Sequence, residues 1–180
     1  MQARSTILAA VVAVFALALG SEASAASVAE ANQTVERFQK TDPGVAKEFR
    51  SAEGYAVFPT VGKGGLGIGG AHGSGILYEH GKPVGKASLT QVTIGFQAGG
   101  QAFSEVILFR TGESLANFKS GDFAFAADAS AVALKAGASA SVKYEGGVAV
   151  LTSTKGGLMY QAAVGGQKFS FEPFAKRPTG

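Results

Sequence analysis

From Val28 onward, apolar side chains recur at Val28, Ala31, Val35 and Phe38, while Glu30, Gln33, Arg37 and Lys40 occupy the rest of the wheel. Spacings of three and four residues predict an amphipathic helix that buries one stripe. Ser27 with Glu30 three positions later forms a capping box, which sets the start of this helix over Ser27 to Lys40. A second helix is predicted from Asp42 as N-cap, Pro43 in the first turn, Val45 and Phe49 on one face, and Gly54 just past the end. After Gly54 the period changes. Short apolar or alternating runs follow, "YAVF", "GILYE", "SLTQVTIGF", "SEVILF", "ASVKYE", "GVAVLTS", "GLMYQAAV" and "QKFSFEPF", with glycine between most of them, and each reads as a strand of about 5–6 residues. One helical interruption is predicted at "TGESLANFKSG", where Thr111 caps, Leu115 and Phe118 share a face and Gly121 closes the turn. "EHGKP" around Gly81 and "YEGGV" around Gly146 and Gly147 are hairpin signals. The predicted fold is α+β: a mainly antiparallel sheet curled into a small barrel or sandwich, with two N-terminal helices and one short internal helix.

The stretch "PTVGKGGLGIGGAHGSG", Pro59 to Gly75, contains Gly62, Gly64 and Gly67 after a strand-like run. A dinucleotide fingerprint needs a helix to start at these glycines and an acidic residue about 20 positions later in a βαβ unit. The residues after Gly67, "IGGAHGSGILYE", are rich in helix breakers, and Lys63 is followed by Gly64 rather than Ser or Thr, so neither a dinucleotide nor a Walker loop is present. At period two, positions 65, 67, 69, 71, 73 and 75 are all Gly or Ala and share one face of an extended chain. Each strand glycine costs roughly 0.5–1 kcal/mol against alanine. A face stripped of side chains therefore implies something pressed close to it, either another part of a curved sheet or a ligand in a groove.

Composition adds three constraints. The 26 glycines in 180 residues are unusual and need a structural cause, and the absence of cysteine rules out a disulfide framework, a thiol nucleophile, a cysteine metal cage and a lipidated cysteine. The N-terminus reads as an export signal, with Arg4, the apolar "ILAAVVAVFALAL" and the small-residue site "ASA" ending at Ala25. Residues 1–25 are thus expected to be removed, leaving 26–180 as one domain in a periplasmic or secreted setting, with a net charge of +3 for the whole chain.

Catalytic chemistry finds no footing. There is no "GxSxG" elbow and no serine, histidine and carboxylate arrangement that spacing assembles. His72 and His80, eight residues apart, are the only histidines and make no zinc set without a third ligand. Asp128 in "FAADAS" has two readings, turn capping through backbone N–H groups or cation binding. No enzyme activity, cofactor, metal or nucleic-acid partner is expected, and the sequence does not indicate a protein partner.

The motifs "GYAVFPTVGKGG", "GGAHGSGIL", "IGFQAGGQAFSEVILF", "ADAS" at Ala127 to Ser130, and "STKGGLMYQA" occur in that order. With them the chain resembles the SYLF domain, a lipid-binding domain of bacterial exported proteins and of eukaryotic membrane-linked proteins. The likeness runs from about Ala29 to Phe171. It departs from the family at Ala126, where glycine is usual, at "AVALKAG" in place of a glycine-rich run, and at the extra glycine in "TKGGL". The resemblance implies a non-enzymatic module that contacts anionic phospholipid, or a lipid A phosphate, at the membrane surface. Lys63, Lys82, Lys86 and Lys155, beside glycine turns, are then candidate headgroup contacts, as mobile charges worth about 1 kcal/mol each near an anionic surface. His72 is a further candidate headgroup contact, and Lys63 and Lys155 lie inside the family-like motifs. The helix over Ser27 to Lys40 either covers the sheet or lies at a membrane interface. Two rivals share the export signal and strand pattern: an integral eight-stranded outer-membrane barrel, and a structural envelope protein without a lipid ligand. Four tyrosines, no tryptophan and the tail "KRPTG" make a poor aromatic girdle for the barrel.

Overall fold

The computed structural model describes residues 26–121, 123–125, 131–156 and 164–175. For 65–68, 93–99 and 156 the description covers the backbone alone. The predicted export signal at 1–25, Asp128 with its "ADAS" motif, and most of "GLMYQAAV" lie outside the described residues.

Among the described residues three α-helices form where the caps place them. Helix α1, Val28–Thr41, starts at the Ser27 and Glu30 capping box, and α2, Pro43–Ser51, starts where Asp42 accepts from the Gly44 N–H at 2.7 Å. Helix α3, Gly112–Ser120, starts where the Thr111 hydroxyl accepts from the Ser114 N–H and ends at Gly121 in the left-handed region, φ +81°, a conformation that glycine adopts without a Cβ clash. The second helix stops at Ser51, three residues before the glycine read as its end, because Ala52 is already extended at ψ 139°.

The strands depart most from the pattern of short runs. Strand β1 runs over Gly54–Glu79 and β2 over Lys82–Phe109, 26 and 28 residues long. They pair antiparallel throughout, from Gly54 against Phe109 to Glu79 against Lys82. Their turn, His80 and Gly81 with φ +48° and +76°, has the two positive φ angles that suit the twist of a two-residue hairpin. The internal glycines thus bend the strands without ending them, which is their usual use at tight barrel corners. Strand β3 is Val132–Ala133, β4 is Val148–Gly156 and β5 is Lys168–Pro173. The first half of β2 pairs with β5 and the second half with β4, and β3 adds in parallel to β4, giving a five-stranded, mostly antiparallel sheet. "ASVKYE" is not a strand: its first two residues close a 3₁₀ turn over Ala138–Ser141 and the rest is irregular chain; Gly137 at φ +78° favours the turn over a strand.

The curl explains the glycine face. A Cβ on Gly75 would stand 2.6 Å from the Val57 carbonyl oxygen and 2.6 Å from the Phe58 ring, and one on Gly73 would stand 2.9 Å from Val61. Gly54 likewise lies against the Tyr78 carbonyl. The second half of β1 therefore crosses its own first half at backbone contact. At Gly73 and Gly75 the flank without side chains is filled by the sheet itself.

Alternation along the strands sorts the core into two layers. Ala56, Phe58, Leu77, Phe103, Ile107 and Phe109 face inward, where α3 contributes Leu115 and Phe118 and β5 contributes Phe169. Phe118 packs 4.9 Å from the Phe109 ring and 5.3 Å from Phe169. Tyr55, Val57, Ile76, Tyr78, Val106 and Leu108 face outward and are covered by Phe38 of α1 and Phe49 of α2. Tyr78 also donates to Asn32 of α1 at 2.7 Å. Across α2, Glu48 accepts from Arg110 and from Tyr144, both at 2.8 Å, and the Arg110 guanidinium lies 4.1 Å over the Tyr144 ring.

One carboxylate enters the inner layer. Glu105 is fully buried and accepts from Gln167 Nε2 at 3.0 Å, while its Oε1 and the Oε1 of Gln167 meet no donor. Burial pushes the Glu105 carboxyl up to about 7, the Gln167 hydrogen bond acting weakly the other way.

Candidate anion-binding site

Two irregularities in the sheet face one another across β2. Phe58 pairs with Glu105 and Val61 with Phe103, so β1 carries one extra residue at Pro59 and Thr60. On the other side Thr154 pairs with Phe103 and Gly156 with Ala102, so β4 carries Lys155 as its extra residue. Such bulges re-aim side chains and accumulate beside functional sites.

The side chains at this corner come from four elements. Lys155 Nζ donates to Thr60 Oγ1 at 2.7 Å, reaching across β2 from one bulge to the other. Arg37, near the end of α1, donates through Nη2 to Ser104 Oγ at 2.7 Å, and Ser104 in turn donates to the Pro59 carbonyl at 2.7 Å. Ser104 alternates with the inward Phe103 and Glu105, which turns it toward α1. Lys155 thus ends on Thr60 of β1, and Arg37 reaches the adjacent Pro59 through Ser104 of β2. Lys155 is held below the usual lysine range, first by desolvation and then by Arg37 beside it, with Glu30 partly offsetting both. Among the described residues neither Arg37 nor Lys155 joins an ion pair, whereas Lys40 pairs with Glu36, Arg110 with Glu48 and Lys119 with Glu79. Arg37 also borders an open groove along α1 with Gln33, Glu36, Lys40 and Thr41, so solvent reaches the corner.

The residues singled out by sequence do not gather here as a set. Of the five candidates, only Lys155 belongs to the corner. Lys63 lies opposite Gln101, one position beyond the row Gly62, Ala102 and Gly156 that borders the bulges. It follows Val61 by two residues, so alternation turns it to the inward side of β1. His72 is exposed on β1 opposite Thr90. Lys82 is exposed at the far end of the hairpin, opposite Glu79. Lys86 is exposed on β2 between Ile76 and Glu172 and lines a separate groove with Ser88, Ser170 and Phe171. Arg37, Thr60 and Ser104 were not among the residues singled out by sequence, although Thr60 lies in "GYAVFPTVGKGG" and Ser104 in "IGFQAGGQAFSEVILF". Arg37 reads as an ordinary polar position of an amphipathic helix, and Ser104 stands 67 residues away from it.

Among the described residues no group of three metal-binding side chains occurs, and no helix is long and apolar enough to cross a membrane. No family model matches the chain, and no curated protein matches it.

Proposed function

We propose that the protein is an exported, non-enzymatic lipid-binding domain that contacts anionic phospholipid at the cell envelope. The observation that carries this reading is the placement of Arg37 and Lys155 at the twin bulges with, among the described residues, no carboxylate in ion-pair contact with either. Two cations so placed repel one another, and an anion between them removes the repulsion. The SYLF resemblance supports the same reading, since "PTVGKGG" supplies Pro59 and Thr60 and "STKGG" supplies Lys155. Packing of α1 and α2 over the outer face of the sheet supports peripheral association over an integral barrel, whose outer face would meet lipid chains.

Flotation of the exported protein with neutral and with phosphatidylglycerol-containing vesicles tests it. Partition onto the anionic vesicles is expected to fall as salt rises from low to physiological strength and beyond. Equal partition onto neutral and anionic vesicles would sink the reading.

A further inference from the structure

The corner also constrains the chemistry of the anion. We propose that Arg37 and Lys155 together bind one phosphate monoester dianion, Arg37 through its forked N–H donors and Lys155 as a mobile point charge. This inference rests on the anionic-lipid reading and names the headgroup chemistry of that same site.

Donor counting supports it. A guanidinium carries five N–H groups, and Arg37 uses one Nη2 bond on Ser104. Ser104 is itself oriented by donating to the Pro59 carbonyl, so the guanidinium is held in place while the rest of its fork stays available. A fork of that geometry matches two oxygens of one phosphate. Lys155 uses one of its three donors on Thr60, and the Thr60 hydroxyl, exposed at the bulge, keeps its own proton for an acceptor.

Charge counting supports it too. Glu30, the carboxylate felt by Lys155, is engaged at Oε2 by the Ser27 N–H at 3.0 Å and the Ser27 hydroxyl at 2.9 Å. It closes the start of α1 and forms no ion pair with either cation. A monoester carries about −1.5 to −2 at neutral pH and satisfies both cations, whereas the single charge of a diester leaves one of them uncompensated. The same chemistry occurs in a monoester lipid headgroup and in free phosphate, and the experiment separates the two.

Binding of the exported protein is measured on phosphatidylcholine vesicles doped with phosphatidic acid or with phosphatidylglycerol, at matched surface potential. In parallel, inorganic phosphate is titrated while the Arg37 Nε–H and Lys155 amide NMR signals are followed. The proposal expects at least about fivefold tighter binding to phosphatidic acid, and loss of that preference in Arg37→Lys while phosphatidylglycerol binding stays within about twofold, because lysine keeps the charge and loses the fork. Lys155→Gln, at an exposed position, should weaken binding to both lipids. Thermal melting by circular dichroism checks that each variant is folded. Equal affinity of the wild-type protein for the two anionic vesicles overturns the monoester site and leaves the lipid-binding function standing. Phosphate shifts at Arg37 without binding to either vesicle support the site, assign it to a soluble ligand and overturn the membrane reading. No response to vesicles or to phosphate overturns both.

Discussion

At the scale of single side chains, Glu105 sets how stability responds to pH. Its carboxyl lies near 7 in the folded chain against an unfolded reference of 4.5, raised by burial. A raised carboxyl favours the protonated native state. Its full contribution is therefore present below about pH 4.5 and is lost as pH rises through the folded value near 7. A gap of this size corresponds to roughly 3 kcal/mol. Chemical denaturation should accordingly show Glu105→Gln to be more stable than the wild type at pH 8 and close to it at pH 4.5. The added amide also offers an N–H to the Gln167 Oε1, which has no donor in the native chain. A wild-type advantage for the charged residue at pH 8 would contradict this account. Nothing in the run "SEVILF" marks Glu105 as buried, because alternation alone places a glutamate two residues before Ile107 and leaves open which face meets water.

At the scale of elements, the glycines of β1 divide by what surrounds them. Gly75 abuts the Val57 carbonyl, whereas a Cβ on Gly62 would meet nothing within 4 Å. Gly75→Ala should therefore cost on the order of 1–3 kcal/mol through overpacking against backbone. Gly62→Ala should gain up to about 0.5–1 kcal/mol by restricting the unfolded chain. Urea midpoints for the two variants are expected to move in opposite directions. Helix α1 supplies a second case: Phe38 is fully buried against the outer layer, so Phe38→Ala should cost about 3–5 kcal/mol, measurable in the same experiment. The helices were legible in sequence because their signals are local. Ser27 with Glu30, Asp42 with Pro43, and Thr111 with Gly121 each act within one turn of chain. The continuity of β1 and β2 was less legible, since a glycine that ends a strand and one that bends it look alike until the crossing segment is known.

At the scale of the whole molecule, the corner at Arg37 and Lys155 exists only after α1, β1, β2 and β4 have all come together. Its contacts span 67 residues from Arg37 to Ser104 and 95 from Lys155 to Thr60. Local pattern reached one member, Lys155, through a motif, and missed the rest because no periodicity couples positions so far apart. A ligand that bridges α1 to β4 adds its binding free energy to the native state. A phosphate monoester lipid presented in small micelles should accordingly raise the melting temperature, and Arg37→Lys should shrink that rise.

The turn at His80 and Gly81 carries a consequence of its own. Past the register shift between Tyr78 and Leu77, the rungs from Leu77 and Gly85 to Ile68 and Ile94 keep one alignment, counted from those two residues. One amino acid inserted there would slide β2 by a single step and exchange which of its residues look into the molecule and which look out. Ala87 and Leu89 would then face the solvent side and Lys86 and Ser88 the phenylalanine layer. A chain otherwise identical in composition would lose its interior through an error of one unit in length.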